Sequence, residues 1–225
     1  MKNYPKYIKI INLILAIAIV IGGAAYYATH SLGVKTAASL LFVALGLVNW
    51  LYVRRRGANR CAFAFVMVVA LFFAMLGDVV LEINFMAGAL VFAVGHVFYF
   101  LAYCRLIKLE AKHLIPSACI FAFAAALILF LPIFDFGGMV MQIVCLVYAL
   151  IIACMLGKAF SNWRKGPSVL TALLLLGSFW FFFSDMMLLF SHFADVPRIM
   201  SALCVNTYYP AQAILSYAVL RSADK

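Results

Sequence analysis

The chain has 225 residues, of which 68% are hydrophobic and 11% charged, 17 of them basic and 7 acidic. A soluble globular domain carries about 25% charge, so the composition excludes a soluble fold, intrinsic disorder and a disulfide scaffold. The net charge of +10 lies in short basic runs between apolar stretches, with no aromatic-basic surface. That placement argues against nucleic acid as a partner and for Lys and Arg meeting anionic headgroups.

A spanning helix takes roughly 20 residues, so eight helices use about 160 and leave no room for an extramembrane domain. Hydropathy predicts eight spans, at about 9–29, 36–53, 61–82, 84–104, 114–134, 139–157, 169–190 and 199–220. The expected fold is an all-α membrane protein. It is one integral domain over residues 1–225, an eight-transmembrane-helix bundle. The first apolar run continues through Tyr26 and Tyr27. It is longer than a signal-peptide core of about 7–15 residues and reads as a retained helix.

The connections alternate in charge. Lys2, Lys6 and Lys9 precede span 1, and Arg54, Arg55, Arg56 and Arg60 follow span 2. Arg105, Lys108 and Lys112 follow span 4, Lys158, Arg164 and Lys165 follow span 6, and Arg221 and Lys225 end the chain. Only Lys35 and Arg198 fall on the other side. The bias places both termini in the cytoplasm and favours an even number of spans. The expected location is a bacterial inner membrane. Six cysteines without a CxxC pair read as small packing residues.

Acids inside spans carry the functional signal, because a buried Asp costs about 2.5–3.5 kcal/mol on insertion scales. Asp78, Glu82 and Asp185 qualify, whereas Glu110, Asp135, Asp195 and Asp224 fall in loops or the tail. Asp78 and Glu82 are one turn apart and share a helix face. Gly77 precedes Asp78, and Ser184 precedes Asp185. The two acids stand at matching places in spans 3 and 7. Each is followed by a turn and a helix rich in Tyr and amides, as two four-helix repeats would require. Span 4 places His96, Tyr99 and Tyr103 on one face, and span 8 carries Asn206, Tyr208, Tyr209 and Gln212. For each of these the plainer role is an interhelix hydrogen bond. Lys35 either neutralises Asp78 or Asp185, binds a phosphate, or snorkels at the boundary of span 2.

There is no GxSxG, HExxH, P-loop or GxGxxG motif. A Ser-His-Asp arrangement of Ser184 and His96 has no local support. No metal and no cofactor are expected, since one His in the apolar helices is a poor ligand set.

The ordered motifs resemble the lysoplasmalogenase family of membrane hydrolases, the YhhN-like proteins. The first block is Gly77-Asp78 followed by Phe85, Gly88, Phe92, His96 and Tyr99, and the second is Ser184-Asp185 followed by Tyr208, Tyr209 and Gln212. The family shows Lys-Pro at the start of its second span, and here Lys35 is followed by Thr36. The resemblance implies hydrolysis of the vinyl ether bond of a lysoplasmalogen to a fatty aldehyde and glycerophosphoethanolamine or glycerophosphocholine. The partners would then be a lysophospholipid substrate and bilayer lipid. Two carboxyls suit that chemistry. One protonates the β-carbon, and the other stabilises the cation and activates water. Asp78 and Asp185 are the catalytic candidates. The supporting candidates are Lys35, Glu82, His96, Tyr99, Ser184, Tyr208, Tyr209 and Gln212. The competing reading is a proton-coupled transporter of a small or lipid-like solute, using the same acids. A non-catalytic lipid-binding scaffold would explain the hydrophobicity but not the acids.

Overall fold

A computed structural model describes residues 4–224; Lys2 and Lys225 lie outside the described residues. Eight α-helices follow one another: α1 (Lys6–Thr29), α2 (Leu32–Arg55), α3 (Cys61–Ile83), α4 (Phe85–Leu106), α5 (Leu114–Phe130), α6 (Met139–Lys165), α7 (Val169–Phe193) and α8 (Ile199–Arg221). A single 3-10 turn, Ala111–His113, leads into α5. Among the described residues, seven helical segments are long and apolar enough to cross a membrane, as an integral multi-pass membrane protein requires. The remaining helix, α8, has 23 residues and many buried side chains, including Thr207, Tyr208, Tyr209, Gln212 and Ser216. It packs against α1, α2, α3 and α7, so these side chains face protein rather than lipid, whereas Asn206 is exposed and donates back to the Ala202 carbonyl at 2.8 Å.

Local chemistry sets the connections. Asn84 is the single residue between α3 and α4, and its side chain caps α4 by accepting from the Ala87 N–H at 2.9 Å. The resulting hairpin is tight because glycines line it. A Cβ at Gly88 would stand 2.6 Å from the Leu81 nitrogen, and one at Gly77 would meet the Phe92 ring. Ser168 and Thr171 form a capping box at the start of α7. Leu13, Ile21, Phe123, Phe130 and Leu176 are exposed on the bundle's outside, as a lipid-facing surface requires.

Three expected boundaries are corrected. Span 5 was expected to reach residue 134, but α5 ends at Phe130. Pro132 lacks an N–H and cannot continue a helix. Phe134 instead makes an isolated bridge to Ala194. Span 6 was expected to end at 157, with Lys158 in a loop. In fact α6 runs on to Lys165, and Lys158 is buried inside the bundle. A charge ends a hydropathy window, but it does not end a helix whose other face is packed. Span 7 was expected to end at 190, but α7 continues to Phe193, and His192 stacks on Phe85 with ring centroids 3.6 Å apart.

Candidate functional site

At the end of the bundle opposite the termini, a cavity of 320 Å³ opens between α1, α2, α3, α4, α7 and α8. Seven of the ten sequence candidates line it: Lys35, Asp78, Glu82, Ser184, Asp185, Tyr208 and Tyr209. Their depths follow from helix position at 1.5 Å per residue. Glu82 is next to the end of α3, and Lys35 is near the start of α2. Asp78 lies about 8 Å below the end of α3, and Asp185 about 12 Å below the end of α7.

The mouth is charged. Lys35 Nζ donates to Glu82 Oε1 at 2.7 Å, and the Tyr26 hydroxyl donates to the same oxygen at 2.5 Å. Of the roles open to Lys35 from the sequence, direct pairing with Asp78 or Asp185 is replaced by an ion pair with Glu82. Glu82 is one helical turn nearer the mouth than Asp78, within direct reach of the Lys35 ammonium. The ammonium also lies 4.9 Å from the centre of the Tyr26 ring. His30 and His192 complete the rim.

Below the mouth, Asp78 is 3% exposed. Its Oδ2 accepts from the Ser39 hydroxyl at 2.5 Å and from the Tyr208 hydroxyl at 2.8 Å. Two hydroxyl donors compensate the carboxyl for lost water. Asp185 has a different environment. Its Oδ2 accepts from the Tyr148 hydroxyl at 2.6 Å. Tyr148 in turn lies 2.8 Å from His96 Nε2, which is itself 3.3 Å from the carboxylate. With the Tyr148 proton directed at Asp185, its oxygen accepts from the imidazole, and Nε2 carries a proton. His96, Tyr148 and Asp185 form a hydrogen-bonded chain. Sulfur of Met155 lies 3.4 Å from His96 Nδ1, and the Phe181 ring lies 4.5 Å from the imidazole.

Beside Asp185 a second, apolar opening of 50 Å³ runs between α3, α4, α5, α6 and α7, lined by Ala89, Ile128, Cys145, Ala149 and Leu189 among others. It shares Leu81, Phe85, Phe92, Asp185 and Leu188 with the polar cavity. Asp185 therefore stands where polar and apolar spaces meet.

The remaining candidates lie behind this surface. His96 does not line the polar cavity and connects to it through Tyr148, which lines the apolar opening, and then Asp185. The Tyr99 hydroxyl donates to Gln212 Oε1 at 3.0 Å, and both residues are fully buried. That pair ties α4 to α8 and does not reach the cavity. Ser184 lines the cavity, but its hydroxyl donates to the Cys204 carbonyl at 3.1 Å, which gives no Ser-His-Asp arrangement. Tyr148, Ser39 and Tyr26 were not singled out in the sequence. Ser39 had a usable signal, standing one helical turn from Lys35 on the same face. Tyr148 had a weaker one, as a hydroxyl in the apolar run of α6.

No curated protein and no solved structure matches the chain. The family model described as YhhN family matches residues 30–219. That match takes in α2 to α7 entirely and nearly all of α8, and so both acids and the groups that hold them. The chain belongs to the YhhN family, which includes lysoplasmalogenases.

Proposed function

We propose that the protein is a lysoplasmalogenase-like hydrolase, which cleaves the vinyl ether bond of a lysophospholipid inside the membrane. The observation that carries this reading is the position of Asp185 at the junction of the polar cavity and the apolar slot. A lysoplasmalogen has the same polarity: a phosphate headgroup and glycerol at one end, an alkyl chain at the other, and the vinyl ether between them. With the headgroup at Lys35, His30 and His192, and the chain in the slot, the reactive bond comes to the two acids.

The chain end decides their roles. In a vinyl ether the β-carbon carries the alkyl chain. The acid that protonates it belongs on the apolar side, where Asp185 stands. The Asp185 proton goes to the β-carbon, the double-bond electrons form the new C–H bond, and the ether oxygen shares the positive charge with the α-carbon. Asp78, which accepts from the Ser39 and Tyr208 hydroxyls, acts as the base: it removes a proton from water as the water oxygen bonds to the α-carbon. The hemiacetal then collapses. The glycerol oxygen takes the proton from Asp78, the C–O bond breaks, and the hemiacetal hydroxyl returns a proton to Asp185. Aldehyde and glycerophospho-alcohol leave with both carboxyls restored. The Tyr148–His96 chain orients the Asp185 carboxyl, and Tyr208 and Tyr209 line the space for the glycerol.

The test is aldehyde release by purified protein from a lysoplasmalogen, run in deuterated, oxygen-18 water. One deuterium at the carbon next to the aldehyde and oxygen-18 in the aldehyde are expected. No aldehyde from folded protein would overturn the reading. Proton flux through proteoliposomes, lost on replacing the same acids, would then favour transport.

A further inference from the structure

At the opposite end, where the basic loops gather, a second polar cluster plays no part in the proposed reaction. It forms where α5 meets α6. Gly157 allows the close approach, since a Cβ there would stand 2.6 Å from the Ser117 nitrogen. The contact tucks the turn Ala111–His113 against α6. Lys158 is 0% exposed, and its Nζ donates to the Lys108 carbonyl at 3.3 Å and to His113 Nδ1 at 3.1 Å. Both acceptors are neutral, and among the described residues Lys158 has no carboxylate in ion-pair reach.

The histidine makes the case sharper. The Glu110 backbone N–H also donates to His113 Nδ1, at 3.2 Å. Two donors on Nδ1 fix it as an acceptor, so the ring proton sits on Nε2. His113 is only 4% exposed, and its Nε2 has no hydrogen-bond partner. A buried donor without an acceptor is costly, as is a buried cation without an anion. An oxyanion at Nε2 would relieve the histidine. A cavity of 370 Å³ lies at this place, lined by Lys112, His113, Ser161, Arg164 and Lys165, with Ile115 and Phe160 forming an apolar wall. Ile115 is exposed on the outer face of α5, so that wall continues onto the lipid-facing surface.

We propose that this cavity binds the phosphate group of an anionic phospholipid, with His113, Arg164 and Lys112 on the phosphate and the acyl chains along Ile115. The apolar wall favours a lipid over a free phosphate ion. Glu110 acts as a built-in competitor. It pairs with Lys112 at 2.8 Å and also with Lys165, and a bound phosphate would take both lysines over.

The test follows thermal unfolding of the purified protein in neutral detergent. Dioctanoyl phosphatidylglycerol, dioctanoyl phosphatidylcholine and inorganic phosphate are titrated separately. Phosphatidylglycerol should raise the melting temperature saturably, and the other two should not at equal concentration. Arg164→Gln removes a rim charge without touching the core and should weaken the apparent affinity about fivefold. His113→Phe should weaken it further, and Glu110→Gln should strengthen it. Arg198→Gln should leave it unchanged, because Arg198 is an exposed charge at the other end of the bundle and lines neither cavity. An equal response to phosphatidylcholine would overturn the proposal. So would a phosphatidylglycerol response that survives Arg164→Gln and His113→Phe, or one lost with Arg198→Gln. A response to inorganic phosphate equal to that of the lipid would overturn the lipid assignment in favour of a free-ion site.

Discussion

The first four helices and the last four hold their acids by the same plan. Asp78 on α3 is bonded by Ser39 from α2 of its own half and by Tyr208 from α8 of the other. Asp185 on α7 is bonded by Tyr148 from α6 of its own half and approached by His96 from α4 of the other. Helix pairing follows the same exchange, since α8 packs on α2 as α4 packs on α6. The halves then diverge. α8 also packs on α1, α3 and α7, whereas the α4 backbone stays clear of α5 and α7. Side chains such as His96 and Phe181 bridge that gap, and the apolar slot lies there. One plan thus yields a carboxyl among hydroxyls and a carboxyl beside an apolar space. Different environments are what divide two chemically identical acids into proton donor and base.

Four measurements break or sharpen this comparison. The largest effect belongs to the acids themselves. Asp185→Asn and Asp78→Asn should each lower kcat for aldehyde release by about a thousandfold, with the protein still inserting and folding. A near-wild-type rate in either variant would remove that half from the chemistry.

Next come the groups that hold the acids. Tyr148→Phe cuts the chain to His96 and should lower kcat by about a hundredfold. Ser39→Ala leaves Asp78 with its Tyr208 bond and should cost clearly less. Equal losses would show that the two halves are equivalent after all.

A smaller effect is expected in the slot. Ala89→Phe narrows it and should raise KM about tenfold for long-chain substrates, with short-chain substrates little affected. A uniform change across chain lengths would place the alkyl chain elsewhere.

The smallest effect lies at the far end of the molecule. Hydrogen bonds from Lys112 and then Lys165 hold the Glu110 carboxyl down at about 2, from an ordinary value of 4.5. A lowered carboxyl contributes stability above its ordinary value and loses it as pH falls toward its folded value. Wild type should therefore exceed Glu110→Gln by a constant margin above about pH 5, shrinking to nothing near pH 2. Glu110 is partly exposed and its charge screened by solvent, so the margin should be small. A large margin in melting temperature would mean that Glu110 organises the basic cluster rather than merely pairing with it.

Helix number, approximate span limits and the two acids are properties of local sequence. Apolar runs of spanning length define helices whatever their neighbours do, and a carboxyl within such a run is costly wherever the helix packs. The polar faces of α4 and α8 were legible for the same reason, from spacings of three and four residues. Partnership was not legible. Tyr99 and Gln212 look like site residues on their own helices, yet packing turns them toward each other and away from the cavity. Tyr148 looks like an ordinary aromatic residue in an apolar run until α6 meets α7 and brings it to Asp185. Lys158 looks like a loop charge until α5 closes over it. Helical periodicity states which side chains share a face. Only the packing of helices distant in sequence decides what each face meets, and that tertiary packing set the partners of both acids.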